Sequence, residues 1–404
     1  MHIAPTVKFD LDHELKDVSA QRALIDWSAS SKSLTLYDIS ETEDGTLSLT
    51  SSQLTCVPFY HILEQVQSLF NKLCVDYPDY VTRVDAVSEA GLTYPDYANG
   101  ITEETTVDGV TYEPTIAYKT YMYKFTSYNK NAGNGTYCPK KKALIISGVH
   151  GMETAAPFNA YLFAEQLCKC DDANFFKFRS AYDVYIIPCV NGYGMHHDDR
   201  RNARMVDVNR NYPVEKWKEV NKGGTNYSGA SAMSEFETQL VVNLTKAIEP
   251  DLAVDHHNYF EDTRQFFTAV SQESQTKLAH QGLVDCSYTF IKNYPEFFGD
   301  YKLLIDPTAN YEYAPRMIAK STNGTAVRWW YEAGVKLSTT IEICDRVRYT
   351  GGKVLVPTSQ TNYDPTYEVQ GSLDFHTKDE TAFSLAEYTF RNLIFRYAQW
   401  VLEN

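Results

Sequence analysis

ALIISGVHGMETAAPFNAYLFAEQLCK, residues 143–169, decides the architecture. Its first third, ALIISGV (143–149), is a short apolar run rich in β-branched residues and broken by a glycine, the pattern of a buried strand. AAPFNAYLFAEQLCK (155–169) then spaces its apolar residues as a helix does. Between them stand His150, Gly151, Met152 and Glu153, two ionisable groups at the carboxyl end of a strand.

The same alternation continues outward. VYIIPCV (184–190) is a second apolar strand, and a loop leads from it to SEFETQLVVNLTKAI (234–248). That segment reads as a helix opened by a Ser234/Glu237 capping box, in which each side chain satisfies an orphan backbone N–H. DLAVD (251–255) and KLSTTIEI (336–343) are further buried strands, and AFSLAEYTFRNLIFRYAQWVLEN (382–404) is a closing helix burying Leu385, Leu393, Ile394, Tyr397 and Val401. Apolar strands alternating with helices predict an α/β fold: a central mixed, largely parallel twisted sheet flanked by helices.

Upstream, FYHILEQVQSLFNKLCVDYP (59–78) spaces Leu63, Val66, Phe70 and Leu73 as the buried stripe of a helix that stops before Pro78. Residues 91–140, rich in Gly, Thr, Tyr and Asn, read as turns. SLTLYDI (33–39) and TLSLT (46–50) flank Glu43-Asp44-Gly45, a hairpin signal. Residues 1–55 are therefore expected to form a small β-rich extension and 56–404 the main domain. The extension is a candidate element for homo-oligomer contacts.

The chain has 404 residues, with 37 Lys+Arg against 52 Asp+Glu for a net charge of −15. That balance argues against nucleic acid, whose phosphates need clustered positive charge, and against anionic membrane surfaces. A hydrophobic content of 43% supplies a core and excludes wholesale disorder. No apolar run reaches the ~18 residues of a membrane span. The first residues lack a basic start followed by an apolar stretch, so a cytoplasmic location is the expectation. The cysteines form no CxxC pairs, and several lie in apolar runs, as buried free thiols in a reducing compartment do.

Four strand ends run into ionisable groups. ALIISGV leads to His150 and Glu153, DLAVD to His256 and His257, and KLSTTIEI carries Glu342. VYIIPCV leads to a loop bearing Arg200, Arg201, Arg204, Asn209 and Arg210. In open α/β sheets ligands bind beyond the carboxyl ends of strands, so these clusters can share one crevice. Taken singly, a His and a Glu three apart or two histidines at a strand end are ordinary. Two imidazoles and a carboxylate around an open fourth position are, however, the ligand set of catalytic zinc.

The order HxxE (150–153), Arg, Asn-Arg (209–210), His and Glu across SGVHGMET, HHDDRRNARMVDVNRNYP, VDHHN and TTIEICD resembles the zinc metallocarboxypeptidases, peptidase family M14, over roughly residues 57–404. The resemblance implies one zinc ion held by His150, Glu153 and His257, with His256 turned the opposite way along its strand and Asp255 a supporting residue. It further implies Glu342 as general base, Arg200 (with Arg201 as the alternative) as the oxyanion donor, and Asn209 with Arg210 as the clamp on a substrate's terminal carboxylate. The implied reaction is hydrolysis of the C-terminal amide bond of a peptide that carries a free carboxylate.

Some positions depart from the family. Its Asn-Pro-Asp-Gly turn is Asn191-Gly192-Tyr193-Gly194 here, and its mobile-loop tyrosine falls at Lys320. Val327 falls near the pocket for the substrate's last side chain, with Arg328 beside it. His196 and His197 read as exposed loop residues and take no metal role. Arg200, Arg201, Arg204 and Arg210 are expected to gather as a positive cleft in an acidic surface. Two other readings stand beside the peptidase: a zinc deacylase of N-acyl amino acids, and a binding module that keeps the fold without turnover.

Overall fold

The computed structural model describes residues 8–10, 25–26, 30–95, 105–107, 110–112, 118–126, 140–259, 266–270, 278–279, 282, 316–317, 324–344, 348–350, 353–355 and 380–404. In chain order the elements begin with β1 (Lys32–Glu41), β2 (Leu47–Cys56), α1 (Ile62–Asp76), β3 (Val81–Asp85) and α2 (Ala86–Glu89). Next come β4 (Thr105–Val107), β5 (Val110–Tyr112), β6 (Tyr121–Phe125), β7 (Lys141–Ser147), α3 (Ala155–Lys169), α4 (Ala173–Ala181) and β8 (Tyr182–Ile187). The chain continues through α5 (Gly192–His196), α6 (Phe236–Ile248), β9 (Leu252–Tyr259), β10 (Phe266–Val270) and β11 (Arg316–Met317). It closes with α7 (Ala326–Glu332), β12 (Leu337–Cys344), β13 (Arg348–Thr350), β14 (Lys353–Leu355) and α8 (Glu380–Glu403).

Among the described residues the main sheet has the order β11-β10-β12-β9-β7-β8-β6-β3. Its centre, β12-β9-β7-β8, is parallel throughout. β10, β6 and β3 pair antiparallel towards the two edges, so the sheet is mixed as expected. The chain leaves β7 for β8 on one side and returns as β9 on the other. That reversal opens a crevice beyond the strand ends at β7 and β9.

Strand alternation divides the core into two layers. Ala143 and Ile145 of β7, with Leu252 and Val254 of β9, face α1, α3, α4 and α8. Leu144, Ile146 and Ala253 face α2, α6 and α7 on the other side. Leu63, Val66, Phe70 and Leu73 of α1 are buried, as the spacing predicted, and so are Leu393, Ile394, Tyr397 and Val401 of α8. The Leu385 side chain lies outside the described residues.

β1 and β2 form an antiparallel hairpin with its own two-stranded sheet, turning through Gly45 at φ +82°. It rests on α1: the Tyr37 N–H donates to Ser68 Oγ at 3.0 Å, and Asn71 Nδ2 donates to the Tyr37 carbonyl at 2.9 Å. Cys74, Cys168 and Cys189 are buried free thiols, while Cys56 and Cys170 are half-buried. Cys138, Cys286 and the Cys344 side chain lie outside the described residues. No helix among the described residues is long and apolar enough to cross a membrane.

One local expectation fails. α6 is capped by Glu235, without a side-chain cap, and not by a Ser234/Glu237 box. Ser234 Oγ instead donates to Glu235 Oε1 (2.6 Å) and accepts from Asn211 Nδ2 (3.0 Å). Glu237 Oε2 accepts from Asn202 Nδ2 at 2.8 Å. Both buried asparagines outcompete the orphan helix N–H groups for these side chains.

Candidate active site

The turn after β7 brings the first pair together. His150 and Glu153 are 4% and 3% exposed, and His150 Nδ1 lies 2.7 Å from Glu153 Oε1. Gly151 makes this turn feasible: a Cβ there would lie 1.8 Å from the Gly194 carbonyl carbon. The backbones of the two loops are therefore in contact, and the Asn191–Gly194 turn keeps its first and last family residues for a reason. Asn191 caps α5 by accepting from Gly194 N at 2.9 Å, and a Cβ on Gly194 would strike the Asp199 and Arg201 carbonyls.

The second imidazole arrives along β9. Residues of β9 alternate between the two layers, so neighbouring histidines must diverge. His256 enters the α3/α8 side, with one ring nitrogen at the Ile341 carbonyl (2.9 Å), the other at Asn159 Oδ1 (3.2 Å), and Phe390 stacked on it at 4.0 Å. Burial holds its pKa down at about 3, so it stays neutral. His257 turns to the opposite side and reaches Glu153 Oε2 with Nδ1 at 2.6 Å. Ligand atoms of His150, Glu153 and His257 lie within 4.8 Å of one another, and all three residues are buried.

These donors fit zinc. Both Nδ1 atoms converge on one carboxylate, while both Nε2 atoms are held from behind by other carboxylates. His150 Nε2 is 3.1 Å from Asp207 Oδ1, and His257 Nε2 is 2.8 Å from Asp255 Oδ2. A carboxylate behind an imidazole fixes its tautomer and ring angle and raises its basicity as a ligand. Burial by itself would raise the Glu153 pKa, but the two imidazoles beside it more than offset this and hold it well below the ordinary carboxylate range. Burial would lower the pKa of His257, yet Asp255 and Glu153 raise it strongly. The pocket is built around positive charge.

Asp207 is the residue that sequence reasoning did not single out. It stands inside VDVNRNYP, two positions before Asn209, and only its partners reveal its use. Oδ1 faces His150, while Oδ2 accepts from Arg200 Nε at 2.9 Å and lies 2.8 Å from Arg200 Nη2. Buried completely, it is kept ionised by Arg200 and His150 against the cost of desolvation. Arg200 thereby comes to lie with Nη1 3.3 Å from His150 Nδ1 and 3.9 Å from Glu153 Oε1. Arg201 is tied to Asp199 (Nε to Oδ1, 3.0 Å), which leaves Arg200 as the arginine beside the ligands. The expected gathering of four arginines does not occur, because Arg204 is half exposed and turns towards Glu235 at 4.0 Å.

Glu342 and His257 are direct partners in the β12/β9 register, so adjacent parallel strands carry them on one face. Burial, opposed by His257, His150 and Arg200 and aided by Glu153, raises the Glu342 pKa to about 7. Asn209 differs from its expected position as a clamp. Its Nδ2 donates to Asp255 Oδ2 (3.0 Å) and lies 3.1 Å from His257 Nε2, and its Oδ1 accepts from the Ala326 N–H at the start of α7 (2.9 Å). Arg210 is half-buried; Nη1 donates to the Asn209 carbonyl at 2.7 Å, and among the described residues no carboxylate pairs with it. Val327 is fully buried, and Arg328 is paired with Glu332 at 2.9 Å. Lys320 lies outside the described residues.

Residues 111–389 match the zinc carboxypeptidase family, Peptidase M14. Murein peptide amidase A of Escherichia coli (strain K12) is 29% identical over 133 residues, 30% of this chain and 50% of the amidase. The chain thus spans about half the length of the curated relatives it matches. Among solved structures, thrombin activatable fibrinolysis inhibitor superposes with a TM-score of 0.52 at 16% identity, covering 83% of this chain and 76% of that one. The bovine inhibitor bound to a tick carboxypeptidase inhibitor gives 0.50 at 17% identity, covering 82% and 97%. At these identities the likeness establishes the fold. With residues 111–389 of 404 matched and the HxxE-plus-His ligand set intact, this chain belongs to the zinc carboxypeptidase family of metallopeptidases.

Proposed function

We propose that the protein is a zinc carboxypeptidase that removes the C-terminal residue of a peptide bearing a free carboxylate. The observation that carries this reading is the convergence of His150, Glu153 and His257 at the sheet's switch point, with Glu342 beside them and, on the same loop system, Arg210, which pairs with no carboxylate among the described residues. The residues suited to hold one zinc ion are His150, Glu153 and His257. When bound, zinc supplies Lewis-acid chemistry, polarising the scissile carbonyl and acidifying water.

The protein's own groups do the rest. Glu342, with a pKa near neutrality, takes the proton of the attacking water and hands it to the amine that leaves. Arg200, locked by Asp207, donates to the oxyanion that develops on the carbonyl oxygen. Arg210 grips the terminal carboxylate through two parallel hydrogen bonds, a geometry that a lysine lacks. Asn209 braces Asp255 and His257, and its contribution to the clamp comes through placing Arg210 next to it.

The test compares two otherwise identical peptides, one ending in a free carboxylate and one in an amide. The zinc-loaded protein should release the last residue from the first only, and Arg210→Ala should lose that release mainly through a raised KM. Equal cleavage of both peptides would contradict the exopeptidase reading. The match to murein peptide amidase A favours one further substrate, a cell-wall peptide, which the same assay covers when a murein-derived peptide is added. Release from an N-acyl amino acid but from neither peptide would support the deacylase instead.

A further inference from the structure

A second set of metal-type ligands lies away from the first. His61, at the N-terminus of α1, Glu64 in its first turn, and His196, the last residue of α5, place ligand atoms within 4.8 Å of one another. The i, i+3 spacing of His61 and Glu64 repeats that of His150 and Glu153. His61 and Glu64 are 8% and 9% exposed and His196 is half-buried, so the three side chains meet largely withdrawn from solvent. The neighbouring His197 is half-buried too; neither is the exposed loop residue that the sequence suggested.

Two observations distinguish this cluster from a buried ion pair. His61 Nδ1 and Glu64 Oε2 are both buried and make no hydrogen bond among the described residues. A buried polar atom without a partner forfeits the hydrogen bonds water would give it, so two on neighbouring side chains call for an occupant. His61 Nδ1 also stands 3.4 Å from Glu64 Oε1 without hydrogen-bond alignment. That separation suits two ligands of one ion: zinc–ligand bonds of ~2.0–2.1 Å in a tetrahedron place neighbouring ligand atoms ~3.3–3.5 Å apart. The His61 and His196 rings are 5.7 Å apart and inclined at 75°, with Tyr118 flanking His196 at 5.6 Å.

We propose that His61, Glu64 and His196 form a second, structural site for zinc or a neighbouring divalent transition ion. Two imidazoles and one carboxylate select such ions over magnesium or calcium, which prefer all-oxygen shells. The ion fastens the start of α1 to the end of α5, four residues ahead of Arg200. It therefore anchors the loop that presents Arg200 to the active site.

Metal content decides the matter. After loading with zinc and removal of excess, the wild-type chain should hold two zinc ions. His150→Ala/His257→Ala should hold one, His61→Gln/His196→Gln one, and the combination of all four substitutions none. A wild-type value of one, lost entirely with His150→Ala/His257→Ala, would overturn the second site while leaving the first intact. Should a variant fail to fold, zinc-edge anomalous maps of wild-type crystals give the same answer. A peak ~2.0–2.2 Å from the His61, Glu64 and His196 ligand atoms is expected, and a peak confined to His150, Glu153 and His257 overturns the proposal.

Discussion

At the scale of single residues, the site is a chain of charges in which each group fixes the next. Glu342 is the sharpest case. Its carboxyl, pushed up to about 7 chiefly by burial, is protonated below that pH and ionised above it, so with Glu342 as the proposed base activity is expected to rise with pH through its pKa. A zinc ion nearby favours the carboxylate, so the acid limb of kcat/KM is expected at or below about pH 7. A limb centred well above 7 would exclude Glu342 as the base. Asp207→Asn should weaken zinc binding by about 10–100-fold, since it removes the carboxylate behind His150, and should also release Arg200. A zinc titration followed by residual activity reads this directly. His150, Glu153 and Glu342 were legible in the sequence because each lies at the end of an apolar strand. Asp207 was not, because a lone aspartate in a loop shows its purpose only through the imidazole and guanidinium folded against it.

Elements carry these residues to their places, and two substitutions probe that layer. Gly151→Ala forces a Cβ into the Gly194 backbone, so the β7 and α5 loops must separate. We expect a loss of at least about 2 kcal/mol in chemical denaturation, with zinc affinity falling in parallel. Trp330→Ala empties the core beneath α7 and orphans Thr245 Oγ1, which accepts from the indole N–H at 3.0 Å. About 3–5 kcal/mol should be lost there, with the zinc ligands untouched. Hydrophobic period alone located α1, α3, α6 and the strands β7, β8, β9 and β12, since burial on one or two faces dictates the pattern. It misjudged the start of α6, where Ser234 and Glu237 have helix-cap chemistry but Asn211 and Asn202 lie closer. The Asn209 carboxamide likewise turned inward, because Asp255 and the Ala326 N–H are buried groups that needed it.

For the whole molecule, the net charge of −15 and the active site pull in opposite directions. Arg200 and Arg210 oppose that charge locally, and a zinc ion at the candidate site would add to them, while Arg201 and Arg204 are drawn off by Asp199 and Glu235. Strand order explains what a linear reading leaves out. β7, β9 and β12 are distant in sequence yet adjacent in the sheet, and their adjacency brings HxxE, His257 and Glu342 to one crevice. The same holds for His61 and His196, which no local pattern connects. The central claim is hydrolysis driven by Glu342 at the His150/Glu153/His257 zinc site. Release of the C-terminal residue from a free-carboxylate peptide, measured alongside zinc content for wild type and Glu342→Gln, tests it most directly. The variant should keep its zinc and lose about 10²–10⁴-fold in kcat/KM, with a chelator abolishing the wild-type rate. Undiminished release by the zinc-loaded variant, or by the chelated wild type, would contradict the account.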